Sequence, residues 1–241
     1  MVMHKVFMGY DARDNLAIRV AMRSMLKRSR KVSIKTTQLM DWKLRHAGLY
    51  WRHYLVDRDG QRHDGVDGKP FSTDFSFTRF LVPELCGHAD EWVLFCDPDV
   101  MFRSSVGELF EFAKDADPKT AVYCVKHNHA PPETSKMAGL MQTRYHRKNW
   151  SSVMLMNPAR CSGLTKYVVN NWTGAHLHAM LWVEDDQIAE LPEEWNWLCG
   201  HSSPDLDPKL VHYTMGTPDL PGYEDAPFAD EWREYANELL M

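Results

Sequence analysis

No stretch of the 241-residue sequence approaches the roughly 18 consecutive apolar residues that a membrane-spanning helix needs. A transmembrane segment is therefore not expected. The first apolar run, Val6-Phe7-Met8, stops at Gly9-Tyr10-Asp11. That is too short for the apolar region of a secretory signal, so the expected compartment is the cytoplasm. Cysteine is sparse: Cys86, Cys96, Cys124, Cys161 and Cys199 are widely spaced, odd in number and form no CxxC pair. This pattern fits neither a disulfide framework nor a zinc ribbon and points to reduced, buried thiols. Internal repeats, low-complexity tracts and a linker between two halves are also missing, so residues 1–241 are expected to form a single domain. With 44% hydrophobic and 25% charged residues, the composition excludes a disordered, collagen-like or coiled-coil chain.

The net charge of −5 conceals two unlike regions. Residues 1–60 carry +8 and the remainder −13. A basic first quarter raises the question of a polyanionic partner. Arg19, Arg23, Lys27 and Arg30 recur at helical spacing, however, and the simpler expectation is a solvated helix face with no nucleic-acid partner. The acidic stretch from Glu224 to Glu238, opposed only by Arg233, argues against docking on anionic membrane.

Apolar periodicity alternates strands with helices, which favours an α/β sheet. Strands are expected at Lys5–Met8, Val32–Leu39, Trp92–Cys96, Ala121–Val125 and Val153–Met156. Helices are expected after Asp11, across 73–85 and near Val106–Ala113. Residues 57–70 are rich in Asp and Gly and read as a mobile excursion. The segment 126–149 has little apolar rhythm and many donor side chains, among them Lys136, Gln142, Arg144, Tyr145, Arg147 and Lys148. It is the expected acceptor or lid region, while His127 and His129 read as ordinary loop residues.

The sharpest local feature is Phe95-Cys96-Asp97-Pro98-Asp99-Val100. In extended backbone, residues i and i+2 point the same way, so Asp97 and Asp99 can converge on one site. Pro98 donates no ladder hydrogen bond and belongs at a strand end, where ligands of open α/β sheets bind. Two adjacent carboxylates are costly to desolvate unless a cation offsets them, and hard divalent cations take oxygen ligands. His212, ending a second apolar run at Leu210-Val211-His212, offers an imidazole to the same cation, which makes Mn²⁺ a reasonable occupant beside Mg²⁺.

Taken in order, several motifs resemble the GT-A fold glycosyltransferases, specifically family 8, which includes glycogenin and bacterial lipopolysaccharide galactosyltransferases. Val6 to Asp14 resembles the first strand and nucleotide-base loop. Phe77 to Leu85 resembles the helix whose basic residue, here Arg79, reaches the donor. Asp97-Pro98-Asp99 matches the metal-binding DxD motif. Asp186-Gln187-Ile188, with Leu191-Pro192 and Trp195-Asn196, resembles the segment supplying active-site polar groups. Val211-His212-Tyr213 with Gly216 matches the third metal ligand and diphosphate loop.

The resemblance implies a GT-A mixed sheet flanked by helices and transfer of a sugar from a nucleotide sugar, a UDP-sugar, with retention. It assigns Mn²⁺ or Mg²⁺ to Asp97, Asp99 and His212. It assigns the donor to Gly9, Tyr10, Asp11, Arg79, Asp97 and Gly216, and where the chain departs from the family, Ser151, Ser152 and Lys148 are the candidate donor contacts. Asp186 and Gln187, with Arg79, would act at the sugar. The family's Asn-Ala-Gly is replaced by Trp150-Ser151-Ser152, and its basic tail after the His motif by Asp219-Leu220-Pro221-Gly222. A basic diphosphate contact would then come from Arg147 or Lys148. The acceptor, a glycan or a small molecule, is not named by the sequence. A nucleotide- or carbohydrate-binding module on the same fold is the alternative. A sugar-nucleotidyltransferase is disfavoured because Gly9-Tyr10-Asp11-Ala12-Arg13-Asp14 is acidic and holds one glycine.

Overall fold

The computed structural model describes residues 3–128 and 147–240. Among these residues the central sheet has six strands, β1 (Met3–Gly9), β2 (Ser33–Leu39), β6 (Val93–Cys96), β8 (Val122–Cys124), β9 (Val153–Met156) and β10 (Ile188–Glu190). Their spatial order is β10-β8-β9-β6-β1-β2. β1 pairs in parallel with β2 and β6, and β8 with β10, while β9 runs antiparallel to both its neighbours. The carboxyl ends of five strands therefore share one edge with the amino end of β9.

The central strands read as unbroken apolar runs because both faces of the sheet are covered. Side chains alternate between two cores as the strand period requires. Val6, Met8, Leu94, Cys96, Val153 and Leu155 enter one core with Ile18, Ala21 and Met25 of α1 (Asn15–Arg28). Phe7, Val93, Phe95, Met154 and Met156 enter the other, against Phe77, Phe80 and Leu81. Each such side chain fully buried contributes about 1.5–3 kcal/mol.

A second, three-stranded sheet is built from β7 (Val100–Phe102), β11 (Trp197–Leu198) and β12 (Leu210–His212), with β12 between the other two. Its outer cover is the carboxyl-terminal helix α8 (Ala229–Glu238), whose Trp232 and Tyr235 pack with Met101, Val211 and Tyr213. The charge asymmetry is resolved between α8 and α1. Glu238 pairs with Arg23 and Lys27, and Glu231 pairs with Arg28 and, on the loop after β7, Arg103. The basic helix face is thus not merely solvated; it faces the acidic carboxyl-terminal helix of the same chain.

Residues 57–70 also depart from expectation. They belong to a small antiparallel meander, β3 (Tyr54–Val56), β4 (Arg62–Asp64) and β5 (Pro70–Phe71). The Asp57 carboxylate accepts from the Asp59 and Gln61 amides and closes the first turn. The Gln61 side chain donates to Phe71 O across the sheet. Arg52 holds Asp64 in a buried two-bond pair at 2.8 and 2.5 Å and donates to Val169 O and Trp172 O. Polar turn chemistry closed this unit, which is why apolar periodicity does not reveal it.

The expected helix across 73–85 divides into α3 (Phe75–Thr78), a tight 3₁₀ turn and α4 (Val82–Leu85). Its carbonyls and amides reorganise at Arg79, whose buried side chain turns inward. The other helices among the described residues are α2 (Asp41–His46), α5 (Val106–Glu111), which meets the expectation near Val106, α6 (Lys166–Asn171) and α7 (Gly174–His178), the last of which borders the pocket beside Asp97. No described helix is long and apolar enough to cross a membrane.

Candidate metal and nucleotide-sugar site

Asp97, Pro98 and Asp99 lie where the chain leaves the central sheet and enters the second one. The Asp97 amide donates to Ser152 O beside β9, the last such bond on that side. Two residues on, the Tyr213 amide donates to Asp99 O, and Val100 is already in register with His212. Pro98, which has no N–H to leave unpaired, occupies the crossing. This switch brings the two carboxylates to the strand carrying His212. The three residues are buried, and one potential ligand atom from each lies within 4.8 Å of the others.

The imidazole is oriented by a relay of polar contacts. Asn196 Nδ2 donates to Asn149 O at 3.2 Å and to Ser152 Oγ at 2.9 Å. A backbone carbonyl only accepts, so the amide oxygen of Asn196 faces His212 Nδ1, 2.9 Å away. Nδ1 therefore carries the proton and Nε2 presents its lone pair. Nε2 is buried without a hydrogen-bond partner and lies 3.4 Å from Asp99 Oδ1. Two electron-rich atoms so placed fit a shared cation, the chemistry of a mixed carboxylate–imidazole donor set. The relay begins at Asn149, a non-glycine residue held at φ 65°.

Arg79 closes the other side of the pair. Its Nη1 lies 2.9 Å from Asp97 Oδ1 and donates to Ser151 O at 2.9 Å, while Nε reaches Phe75 O at 3.2 Å. The pocket beside these groups is also lined by Lys148, Ser151, Ser152 and Asp14. Burial, with the nearby charges of Asp99 and Asp11, pushes the Asp14 carboxyl up to about 7. Burial, with the charges of Asp97 and Asp99, raises the Cys96 thiol far above its ordinary value, so it is no nucleophile at neutral pH.

The structure thus gathers Arg79, Asp97, Asp99, Ser151, Ser152, Lys148 and His212 in one region. Several expected donor contacts are engaged by the chain's own groups. A side chain at Gly9 would meet the Phe75 ring at 2.7 Å, so packing by itself requires a glycine there. Gly216 is likewise filled, with the Tyr223 ring 2.5 Å from where a Cβ would stand. Tyr10 packs on the core beneath α1. Asp11 is saturated by Arg13 and the Asp74 amide, with Arg62 at 3.6 Å. Burial opposes its ionisation, but these partners outweigh it and hold the carboxyl below its usual range.

Asp186 and Gln187 stand apart from this cluster. They precede β10, which is parallel to β8, and so stand at the amino edge of the sheet, across from the metal cluster. Asp186 is exposed and pairs with Lys119, and the Gln187 side chain accepts from the Glu184 amide in a capping box. Arg147 turns to Ala179 O and Asp185, which leaves Lys148 as the cation of that dipeptide in the pocket. Trp150 donates to His127 O, and Asn149 lines the pocket in its place. Of the expected acceptor region 126–149, residues 129–146, including His129, Lys136, Gln142, Arg144 and Tyr145, lie outside the described residues.

Two pocket residues are not singled out as site residues by the sequence, although Asp14 falls within the Val6–Asp14 motif. His178 reaches the site because α7 ends against Ser151, whose Oγ is 2.8 Å from its Nδ1. Asp14 follows Asp11 in an acidic loop, where only the fold distinguishes the carboxylate that is tied down from the one that faces Asp99.

A curated relative, Protein CDI of Arabidopsis thaliana, is 39% identical over 235 residues, covering 95% of this chain and 84% of that protein. No family model matches the chain. Among solved structures, the galactosyltransferase LgtC, in complex with donor and acceptor sugar analogs, superposes with a TM-score of 0.59 at 16% identity, covering 97% of this chain and 95% of LgtC. The bifunctional glycosyltransferase WbbM gives 0.59 at 16%, and GlyE of Streptococcus pneumoniae 0.59 at 14%, each over 97% of this chain. The chain spans 49% of the WbbM chain and 60% of the GlyE chain. At these identities the likeness establishes the fold. The chain belongs to the family of Protein CDI and is built on the GT-A glycosyltransferase fold.

Proposed function

We propose that this protein transfers a sugar from a nucleotide sugar, a UDP-sugar, to a hydroxyl acceptor, with Mn²⁺ or Mg²⁺ held by Asp97, Asp99 and His212. The observation that carries this reading is the convergence of the three buried ligand groups at the carboxyl edge of the sheet, beside a pocket that also holds Arg79 and Lys148. A divalent cation bound there offsets negative charge gathering on a departing diphosphate. Lys148 supplies further positive charge to the same group, and Arg79 keeps the Asp97 carboxylate aimed at the cation. The anomeric carbon exchanges its bond to the diphosphate oxygen for one to the acceptor oxygen, and the acceptor's proton passes to the departing phosphate.

With Asp186 at the far edge of the sheet, the reading that agrees best with the pocket is retention by same-face attack, without a glycosyl-enzyme at that carboxylate. The same placement is what favours the second reading, a binding module that holds a nucleotide sugar without transferring it.

Thermal denaturation with UDP and several UDP-sugars, each with and without Mn²⁺, tests the assignment. A ligand present at 100 times its Kd adds about 2.7 kcal/mol, which for a chain of this size raises Tm by roughly 5–10 °C. A Mn²⁺-dependent rise is expected; no rise with any of these ligands refutes the donor site. Release of UDP from a UDP-sugar separates the enzyme from the binding module.

A further inference from the structure

The meander of β3, β4 and β5 brings a line of aromatic rings to the pocket that the nucleotide-sugar reading does not use. Tyr54, 40% exposed, stands edge-on to Phe71 with centroids 5.7 Å apart. Phe71 lies 5.1 Å from Phe77, and Phe77 6.3 Å from the His178 ring. Phe71, Phe77 and His178 all line the pocket. From His178 the line continues through Ser151 to Arg79 and Asp97 by contacts of 2.8, 2.9 and 2.9 Å. A path of contacts, one of them through the Ser151 backbone carbonyl, thus runs from the exposed Tyr54 to Asp97.

The wall is held in place from behind. Arg52 stacks on Phe77 at 4.0 Å while it grips Asp64 of β4 and the carbonyls of Val169 and Trp172. Gly174 fits against Phe77, since a Cβ there would stand 2.9 Å from the ring. These contacts fix the ring positions before any ligand arrives, which lowers the ordering cost of binding.

We propose that this wall is the acceptor subsite and that its occupant is a saccharide, one sugar ring lying with a C–H face on Phe71, whose ring Tyr54 meets edge-on. The proposal rests on the nucleotide-sugar reading and gives its acceptor a chemical class. Aromatic faces carry partial negative charge and attract the polarised C–H groups of a pyranose, while the ring's hydroxyls need polar neighbours. The wall supplies both, because Asp67, Lys69, Ser72 and Thr73 interleave with Pro70 and Phe71 along the pocket. A nucleotide fits it less well. On this wall Asp67 stands beside Lys69 and Asp64 is already neutralised by Arg52, whereas Arg79, Lys148 and the cation site gather the positive charge on other elements.

Saturation-transfer NMR on the intact chain, with Mg²⁺ and UDP present, tests the proposal. The probes are methyl α- and β-glycosides of glucose, galactose, mannose and xylose. At least one glycoside is expected to receive saturation, strongest on the C–H groups of one ring face. Tyr54→Ala and Phe71→Ala should each weaken that binding about tenfold or more, and Phe71→Tyr should restore most of it. The Tm rise with UDP and Mn²⁺ should be unchanged in all three variants. Tyr54 is exposed, so its variant keeps the test decisive if Phe71→Ala fails to fold. Binding of none of the glycosides overturns the proposal, as does glycoside binding indifferent to Tyr54→Ala. Loss of the UDP response in Tyr54→Ala reassigns the wall to the nucleotide. If the unaltered chain shows no response to UDP and Mn²⁺, it is the donor reading that has failed, and the glycoside result still stands or falls by itself.

Discussion

Asn196 Oδ1 accepts the Nδ1 proton of His212 at 2.9 Å, and this one contact decides which nitrogen of the imidazole faces Asp99. The amide is itself fixed by Asn149 O, so the ligand geometry is set three residues deep. Asn196→Ala should therefore lower Mn²⁺ affinity by about 10–100-fold, the usual cost of removing such an outer partner. Calorimetric titration with Mn²⁺ measures it. In the metal-free chain, ¹⁵N spectra should show His212 as the Nδ1–H tautomer, and as a tautomer mixture in the variant.

Asp14 gives the metal-free chain a pH dependence whose sign is fixed by the direction of its shift. Its carboxyl titrates near 3.8 when unfolded and near 7 in the folded chain. Below about pH 4 both states hold the proton. Between there and 7 the unfolded state loses it first, so stability falls as pH rises and levels off above 7. The loss is of the order of 2–4 kcal/mol. Tm measured from pH 4 to 8 should fall more steeply in the unaltered chain than in Asp14→Asn, and Mn²⁺ should flatten the difference by adding positive charge beside Asp99.

Arg52 and Asp64 are both almost fully buried and bind through two hydrogen bonds. Arg52→Ala would strand the carboxylate and leave the Val169 and Trp172 carbonyls short of a donor. Urea unfolding should show a loss of about 3–5 kcal/mol. The paired change Arg52→Met with Asp64→Leu should recover most of it, because removing both charges removes the desolvation cost as well.

Placement of Asp186 at the amino edge of the sheet predicts that Asp186→Asn leaves the UDP and Mn²⁺ thermal shift intact. Lys148→Met, in contrast, should weaken UDP binding by tenfold or more. Equal effects from the two variants would place Asp186 in the pocket after all.

The contacts between α1 and α8 are ion pairs at the surface, and Glu231→Gln should cost no more than about 1 kcal/mol. The difference from the unaltered chain should shrink in 1 M salt, where the screening length is about 3 Å.

Much of the central sheet was legible because its strands are buried on both faces and announce themselves as apolar runs. Asp97 and Asp99 were legible for the opposite reason: two charges inside such a run demand an explanation. The meander was not, since side-chain–backbone bonds at Asp57 and Gln61 build it and these leave no periodicity. Gly9 and Gly216 look alike in sequence to glycines that admit a ligand, and only the positions of Phe75 and Tyr223 show that aromatic rings fill the space.

The sequence by itself determined the layered α/β architecture and the local pairing of two carboxylates around a proline, because both follow from backbone periodicity and the cost of burying charge. Where those carboxylates point, and which other groups join them, was decided by tertiary structure. The strand crossover at Pro98 brings His212 to them from more than a hundred residues away, and the parallel run of β10 carries Asp186 to the other edge. Strand direction within a sheet is a property of the whole topology, and no local spacing along the chain encodes it.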